Sequence, residues 1–225
     1  PEDWALIKNF KPTERPKHTD SEKLLNTVKG ALNKITDKNY DIQKAVICDL
    51  LNSGISEEDY AKITVLIFDI ASTNKFYSKV YADLFDDLIK LDVRFVEKLD
   101  KEVDGYLSKF GDIIKTDSNA DYELFCKINA ENDKRKALSM FLVNLMINKV
   151  VSTTKIISLV RSLMEKLSQH VVQDDLYHFT VEISENLFIL VSKVKRSKML
   201  AVLFANSAGS VIPLLFFESL SPSTV

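Results

Sequence analysis

Ser56-Glu57-Glu58-Asp59-Tyr60-Ala61-Lys62-Ile63-Thr64-Val65-Leu66-Ile67-Phe68-Asp69-Ile70-Ala71 is the stretch that decides the fold class. Tyr60, Ile63, Leu66, Ile67 and Ile70 recur at the i, i+3, i+4, i+7 spacing that places them on one face of a helix. Ser56 and Asp59 form a capping box with Asp in the usual Glu place: a hydroxyl accepts from the free amides of the first turn, and an acid suits the positive helix end. The spacing predicts a helix that starts near Glu57. The same period extends outward. Upstream it runs through Leu24, Leu25, Val28, Leu32 and Ile35. Downstream it reappears at Tyr77, Val80, Tyr81, Leu84, Phe85 and Leu88, at Phe95, Val96, Leu99 and Val103, and at Leu138, Phe141, Leu142, Leu145 and Met146. Ile156, Val160, Leu163 and Leu167 follow, then Leu176, Phe179, Ile183, Leu187 and Leu190.

Turn residues are too sparse for a sheet protein. No proline lies between Pro16 and Pro213, and the glycines of the chain are Gly30, Gly54, Gly105, Gly111 and Gly209. The expectation is an all-α chain, a HEAT-type α-solenoid of about five antiparallel helix pairs spanning 21–208. An extended arm (1–20) precedes it and an apolar tail (209–225) follows. The most loop-like interior stretch is Thr116-Asp117-Ser118-Asn119-Ala120-Asp121.

With 225 residues, 46% hydrophobic content and a net charge of −2, the chain can bury a large core and has no bulk attraction for nucleic acid. Cys48 and Cys126 sit among apolar residues at helical spacing and are expected to be buried thiols in a reducing compartment. The longest clean apolar run, Met199 to Ala205, is far short of the ~20 residues a membrane span needs, and no signal peptide is visible, so the expected location is cytoplasmic. There is no Gly-rich phosphate loop, His-Glu-x-x-His, Cys-x-x-Cys or Ser/His/Asp grouping, so neither catalysis, cofactor nor metal is expected. His18, His170 and His178 are scattered, and Asp174 and Asp175 read as acids at a helix start. Lysine far outnumbers arginine and Asn and Ile are frequent, a composition expected of an AT-rich genome, that of a protist or a large virus.

Leu32-Asn33-Lys34-Ile35-Thr36, followed by Tyr40, by Ile63 to Ala71, and by Lys75-Phe76-Tyr77-Ser78-Lys79-Val80-Tyr81-Ala82, resembles the first two helical repeats of the middle domain of the translation initiation factor 4G family. That family reads Leu-Asn-Lys-Leu-Thr, then Ile-Phe-Glu-Lys-Ala, then Phe-Ser-x-x-Tyr-Ala. Asn132 to Leu145 is similar to its third-repeat helix, with Val150-Val151-Ser152-Thr153 at the turn into the fourth. The resemblance implies a translation-initiation scaffold that binds and stimulates a DEAD-box helicase of the initiation factor 4A type. The cap-binding protein would be reached only through regions outside this stretch.

On the same resemblance, the turn from Lys34 through Lys38 to Tyr40 grips the helicase's C-terminal lobe, with Leu32, Ile35 and Tyr40 at the family's Leu, Leu and Phe positions. All three also fit the core stripe, so a packing role stays open. Tyr40 continues the apolar pattern into Ile42 and Val46. Phe10-Lys11-Pro12 is similar to the family's aromatic-Lys-Pro segment, whose Trp anchors the other lobe; Phe10 takes that place, and docking of the arm on its own repeats is the alternative. Basic clusters at Lys134, Arg135 and Lys136 and at Lys193, Lys195, Arg196 and Lys198 are candidates for weak RNA binding, or else solvated faces. The family continues past its last repeat into arginines, whereas here Gly209-Ser210 and Ile212-Pro213 lead to Leu214-Leu215-Phe216-Phe217, an expected final helix. The rival reading is a related adaptor in mRNA decay, splicing or poly(A)-binding-protein complexes that activates no helicase.

Overall fold

The computed structural model describes residues 19–111, 113, 119, 121–170 and 177–192. Every regular element among them is helical: α1 (Asp20–Lys34), α2 (Tyr40–Leu51), α3 (Glu57–Thr73), α4 (Ser78–Leu91), α5 (Val93–Asp104), a short 3₁₀ helix (Tyr106–Phe110), α6 (Tyr122–Ile147), α7 (Thr153–His170) and α8 (Tyr177–Ser192). The chain is all-α over these residues, and no described helix is long and apolar enough to cross a membrane. Phe10, Lys193, Lys195, Arg196, Lys198, Asp174, Asp175 and the tail lie outside the described residues.

Caps set the helix starts. α3 begins at Glu57 as its sequence predicts, with the Ser56 hydroxyl accepting from the Asp59 amide at 3.1 Å. Asp59 does not reach back to the Ser56 amide as a boxed Glu would; its carboxylate accepts from the Ser56 hydroxyl at 2.7 Å and from the Ser21 hydroxyl of α1. The shorter acid thereby ties the start of α3 to the start of α1. The full capping box occurs instead at Thr19 and Glu22, where amide and side chain exchange bonds at 2.8 and 3.2 Å. Asp92, Asp121 and Ser152 accept from the amides of Arg94, Leu124 and Lys155 at the starts of α5, α6 and α7.

Packing follows the stripes. α1 lies against α2 and α3, α2 against α4, and α3 against α4, so the first two helix pairs stack with like helices side by side. Beyond them the pattern changes. α5 packs on α3 and α4, and the 26-residue α6, rather than pairing with α5, lies across α3, α4, α7 and α8. The 3₁₀ helix links α5 to α7. At the crossing, Phe68, Phe85, Phe95 and Phe141 form a chain of edge-to-face rings at 5.7–5.8 Å between centroids, all fully buried. Each such pair contributes about 0.5–1.5 kcal/mol beyond the area it buries, so this cluster fixes α3, α4, α5 and α6 together.

Two expectations need correction. In α2 the buried side carries Ile47 and Leu51, with Tyr40, Cys48 and Leu50 partly buried, while Ile42 is 66% exposed and Val46 38%. At 100° per residue Tyr40, Lys44, Ile47, Cys48 and Leu51 share one face, and Ile42 and Val46 fall opposite it. The thiols are not both buried: Cys48 is half-buried and Cys126 exposed. Cys126 lies in the first half of α6, where of residues 122–134 only Phe125, Ile128 and Asn132 are even half-buried.

Candidate interaction surface

The turn between α1 and α2 is built from inside out. Leu32 and Ile35 are 1% and 3% exposed, and the Leu32 carbonyl accepts from the Ile35 amide at 3.3 Å and from the Tyr81 hydroxyl at 3.0 Å. Asn39 precedes α2 without capping it. Its Oδ1 accepts from the Thr36 amide at 2.7 Å and the Thr36 hydroxyl at 3.0 Å, and its Nδ2 donates to the Lys34 carbonyl at 2.8 Å. Three hydrogen bonds made by the one Asn39 side chain brace the turn, which holds Lys34, Asp37 and Lys38 in solvent. Leu32 and Ile35 are therefore core residues with no surface to offer a partner, a correction to their place among the candidate contacts. They shape the turn from beneath.

Tyr40 is intermediate. Its hydroxyl donates to Asp87 Oδ2 at 2.8 Å, and Lys44 Nζ donates to the same oxygen at 3.0 Å while lying 5.1 Å from the Tyr40 ring centroid. Burial and the adjoining Asp87 carboxylate push the phenol well above its usual value, so it stays protonated. Partial burial opposes the charge on Asp87, but the bonds from Lys44 and Tyr40 outweigh it and hold the carboxyl below the usual aspartate range. The exposed side of the same helix carries Ile42 and Val46 one turn apart. The turn and α2 thus expose Lys34, Asp37, Lys38, Asp41, Ala45 and Asp49, together with two aliphatics, Ile42 and Val46. The last two were assigned to the core from sequence, because a 12-residue helix with apolar residues on both sides has no single clear stripe.

The basic run on α6 is divided: Arg135 and Lys136 turn toward α8, and Lys134 stays in solvent. Arg135 is 9% exposed, donates to the Lys109 carbonyl at 3.2 Å and to Asn132 Oδ1, and sets its Nε 3.8 Å from Glu182 Oε1. Lys136 pairs with Glu185 at 2.5 Å and Glu182 at 3.6 Å, and exposed Lys134 pairs with Glu131 at 2.6 Å. Beneath them Ser139 Oγ lies 2.6 Å from both Tyr106 Oη and Asn186 Oδ1, and Asn186 Nδ2 donates to the Glu182 carbonyl at 2.8 Å and to its Oε1 at 3.1 Å. Burial raises the Glu182 pKa despite both cations, since neither comes within close hydrogen-bond range. Arg135 is thereby corrected from a nucleic-acid contact to a strut joining α6 to α8, and Lys136 is engaged in the same network. Ser139, Glu182 and Asn186 carried no sequence signal, because only the packing of α6 on α8 brings them together.

An apolar groove of about 620 Å³ runs between α1 and α3, floored by Leu25, Ala61, Val65 and Leu66 and rimmed by Lys29, Glu58 and Lys62. Among the described residues no three His, Cys, Asp or Glu side chains gather as a metal-binding group. Compared with known proteins, the chain matches no protein-family model and no solved structure.

Proposed function

We propose that this chain is a non-catalytic helical scaffold of the cytoplasm that docks a DEAD-box helicase of the initiation factor 4A type on the outer face of α2 and the α1–α2 turn. The observation that carries the docking face is the exposure of Ile42 and Val46, aliphatic residues one turn apart on the helix that follows exposed Lys34 and Lys38. The class of partner rests on the resemblance of residues 32–82. The stacking of α1–α2 on α3–α4 supports a HEAT-type reading of this first half, in which adjacent turns present one continuous surface.

Gel filtration of the chain with the helicase, and helicase ATP turnover titrated with the chain, test the reading together. The expected result is a complex and a raised turnover, both lost in Ile42→Asp. A flat titration with no complex removes the helicase reading and leaves the adaptor reading in its place.

A further inference from the structure

The α1–α3 groove begins where the described chain begins. Ser21 in the first turn of α1 is hydrogen-bonded to Asp59 in the first turn of α3, so the two helices start side by side. From that shared start the groove extends past Leu25 and Val65 to Lys29 and Asp69. Asp69 lies ten residues beyond Asp59, which makes the groove about 15 Å long at ~1.5 Å per helical residue.

Its floor is unpartnered. Val65 is 43% exposed, Ala61 is exposed, and Leu25 and Leu66 are only half-buried. On the rim Lys29 and Lys62 balance Glu58 and Asp69 in formal charge, and Lys62 is already paired with Glu58 at 2.6 Å. The groove therefore selects apolar surface rather than an ion, and a segment that fills it must bring large side chains along one side.

The chain itself carries such a segment. Residues 1–18 lie outside the described residues and join the helices at Thr19, the N-cap of α1, at the mouth of the groove. Their sequence places Trp4, Ile7 and Phe10 at every third position, the spacing that aligns side chains along one side of a polyproline II path. Such a path from Trp4 to Phe10 measures about 19 Å, close to the length of the groove. Phe10 precedes Thr19 by nine residues, up to about 30 Å of extended chain, so an arm that turns back at Pro16 can lay this side along the floor. The segment after Ser192 has no such starting point, because α8 packs on α6 and α7.

We infer that the arm docks in this groove of its own chain, with Trp4, Ile7 and Phe10 seated against Leu25, Val65 and Leu66. The inference stands without the helicase reading. It gives Phe10 a place within the chain instead of on a partner's second lobe.

Trp4 is the only tryptophan, so its fluorescence reports the arm alone. In the full chain its emission is expected to be blue-shifted, and its quenching by acrylamide low, relative to the denatured chain. Val65→Asp combined with Ala61→Glu forces a docked arm to desolvate two carboxylates and is expected to lower the docking equilibrium at least tenfold. Emission should then move to the red and quenching rise, while the far-ultraviolet circular dichroism of the helices is retained because both positions are exposed. Ile7→Asp, which precedes the first repeat helix, should release Trp4 in the same way. Ile42→Asp, on the outer face of α2, should not. Quenching as free in the wild type as in the denatured chain overturns the inference, and so does protection that survives the double substitution. Protection lost in Ile42→Asp would place the arm on α2 and overturn it too. Protection that fades on dilution, with a dimer on gel filtration, would place the arm on a second copy and is equally fatal.

Discussion

Tyr40 Oη and Lys44 Nζ converge on one oxygen of Asp87, at 2.8 and 3.0 Å, and this three-residue junction joins α2 to α4 across the first two helix pairs. Tyr40 is half-buried, so Tyr40→Ala is expected to cost about 2 kcal/mol in urea unfolding, less than the ~3–5 kcal/mol of a fully buried aromatic. Tyr40→Phe removes one bond of the pair and is expected to cost about 1 kcal/mol. The folded state lowers the Asp87 pKa, so the junction's stabilisation is complete above the ordinary aspartate value of about 3.9 and is lost as pH falls through the lowered one. Acid titration of wild type beside Asp87→Asn checks this: the variant should lose less stability between neutral and acid pH.

Leu32 separates a packing role from a contact role. It is 1% exposed beneath the α1–α2 turn, and Leu32→Ala is expected to cost about 2–5 kcal/mol and to lower the melting temperature accordingly. Affinity for the partner, measured well below that melting temperature, should stay close to wild type. A large loss of affinity in a fully folded variant would restore Leu32 as a contact.

These two residues also show what the sequence could convey. Leu32 belongs to a clean stripe, and there the period alone located α1, α3, α4 and α5, although its outermost apolar positions fall up to four residues from the observed helix ends. The Ser56 cap was legible because capping is local. From sequence Tyr40 fits both a core role and a contact role, since α2 has apolar residues on opposite faces and the choice between them is made by α1 and α4. Arg135 misled for the opposite reason. A charge run normally reads as a solvated face, and nothing local announces that Glu182, nearly fifty residues on, will meet it in the core. The exposure of Phe76 was hidden inside a motif whose neighbours, Val80 and Tyr81, are buried.

Glu182 should give an opposite pH dependence from Asp87. Desolvation raises its pKa, so across the interval between the ordinary glutamate value of about 4.3 and the raised one the folded chain binds more protons than the unfolded chain. Its contribution is therefore most favourable at low pH and declines as pH rises through that interval. Glu182→Gln is expected to be flatter in stability over the same range, measured by urea midpoints at a series of pH values. Arg135→Ala, which removes the nearest guanidinium from a buried carboxylate, is expected to cost about 3–5 kcal/mol.

Asp92 tests capping and charge separately. It is the single residue between α4 and α5; its Oδ1 accepts from the Arg94 amide at 2.8 Å and Nε at 2.9 Å, and Oδ2 from Nη2 at 2.7 Å. The Arg94 bonds bring its pKa down to about 2, so the charge-dependent stabilisation is present above about pH 3.9 and disappears as pH falls toward 2. Asp92→Ala is expected to cost about 1–2 kcal/mol, the range for a lost cap. Asp92→Asn keeps an amide oxygen for the cap and should retain most of that at neutral pH while losing the acid-side dependence. Circular dichroism melts of both variants at neutral and acid pH distinguish the two contributions.

Ile42 carries the most direct test of the docking face. Its side chain is 66% exposed on the side of α2 away from Ile47 and Leu51, so Ile42→Asp removes little buried area and should change unfolding free energy by about 0.5 kcal/mol or less. A charge placed in the centre of an apolar contact must be desolvated when the partner arrives, and that penalty is expected to weaken the complex at least tenfold, about 1.4 kcal/mol. Val46→Asp, one turn along the same face, should act in the same direction. Val65→Asp serves as the control: it is a comparably exposed aliphatic, 43% accessible, on α3 in the α1–α3 groove. Isothermal titration of the three variants against the helicase decides between the faces, because loss confined to Val65→Asp would move the docking site from α2 to the groove.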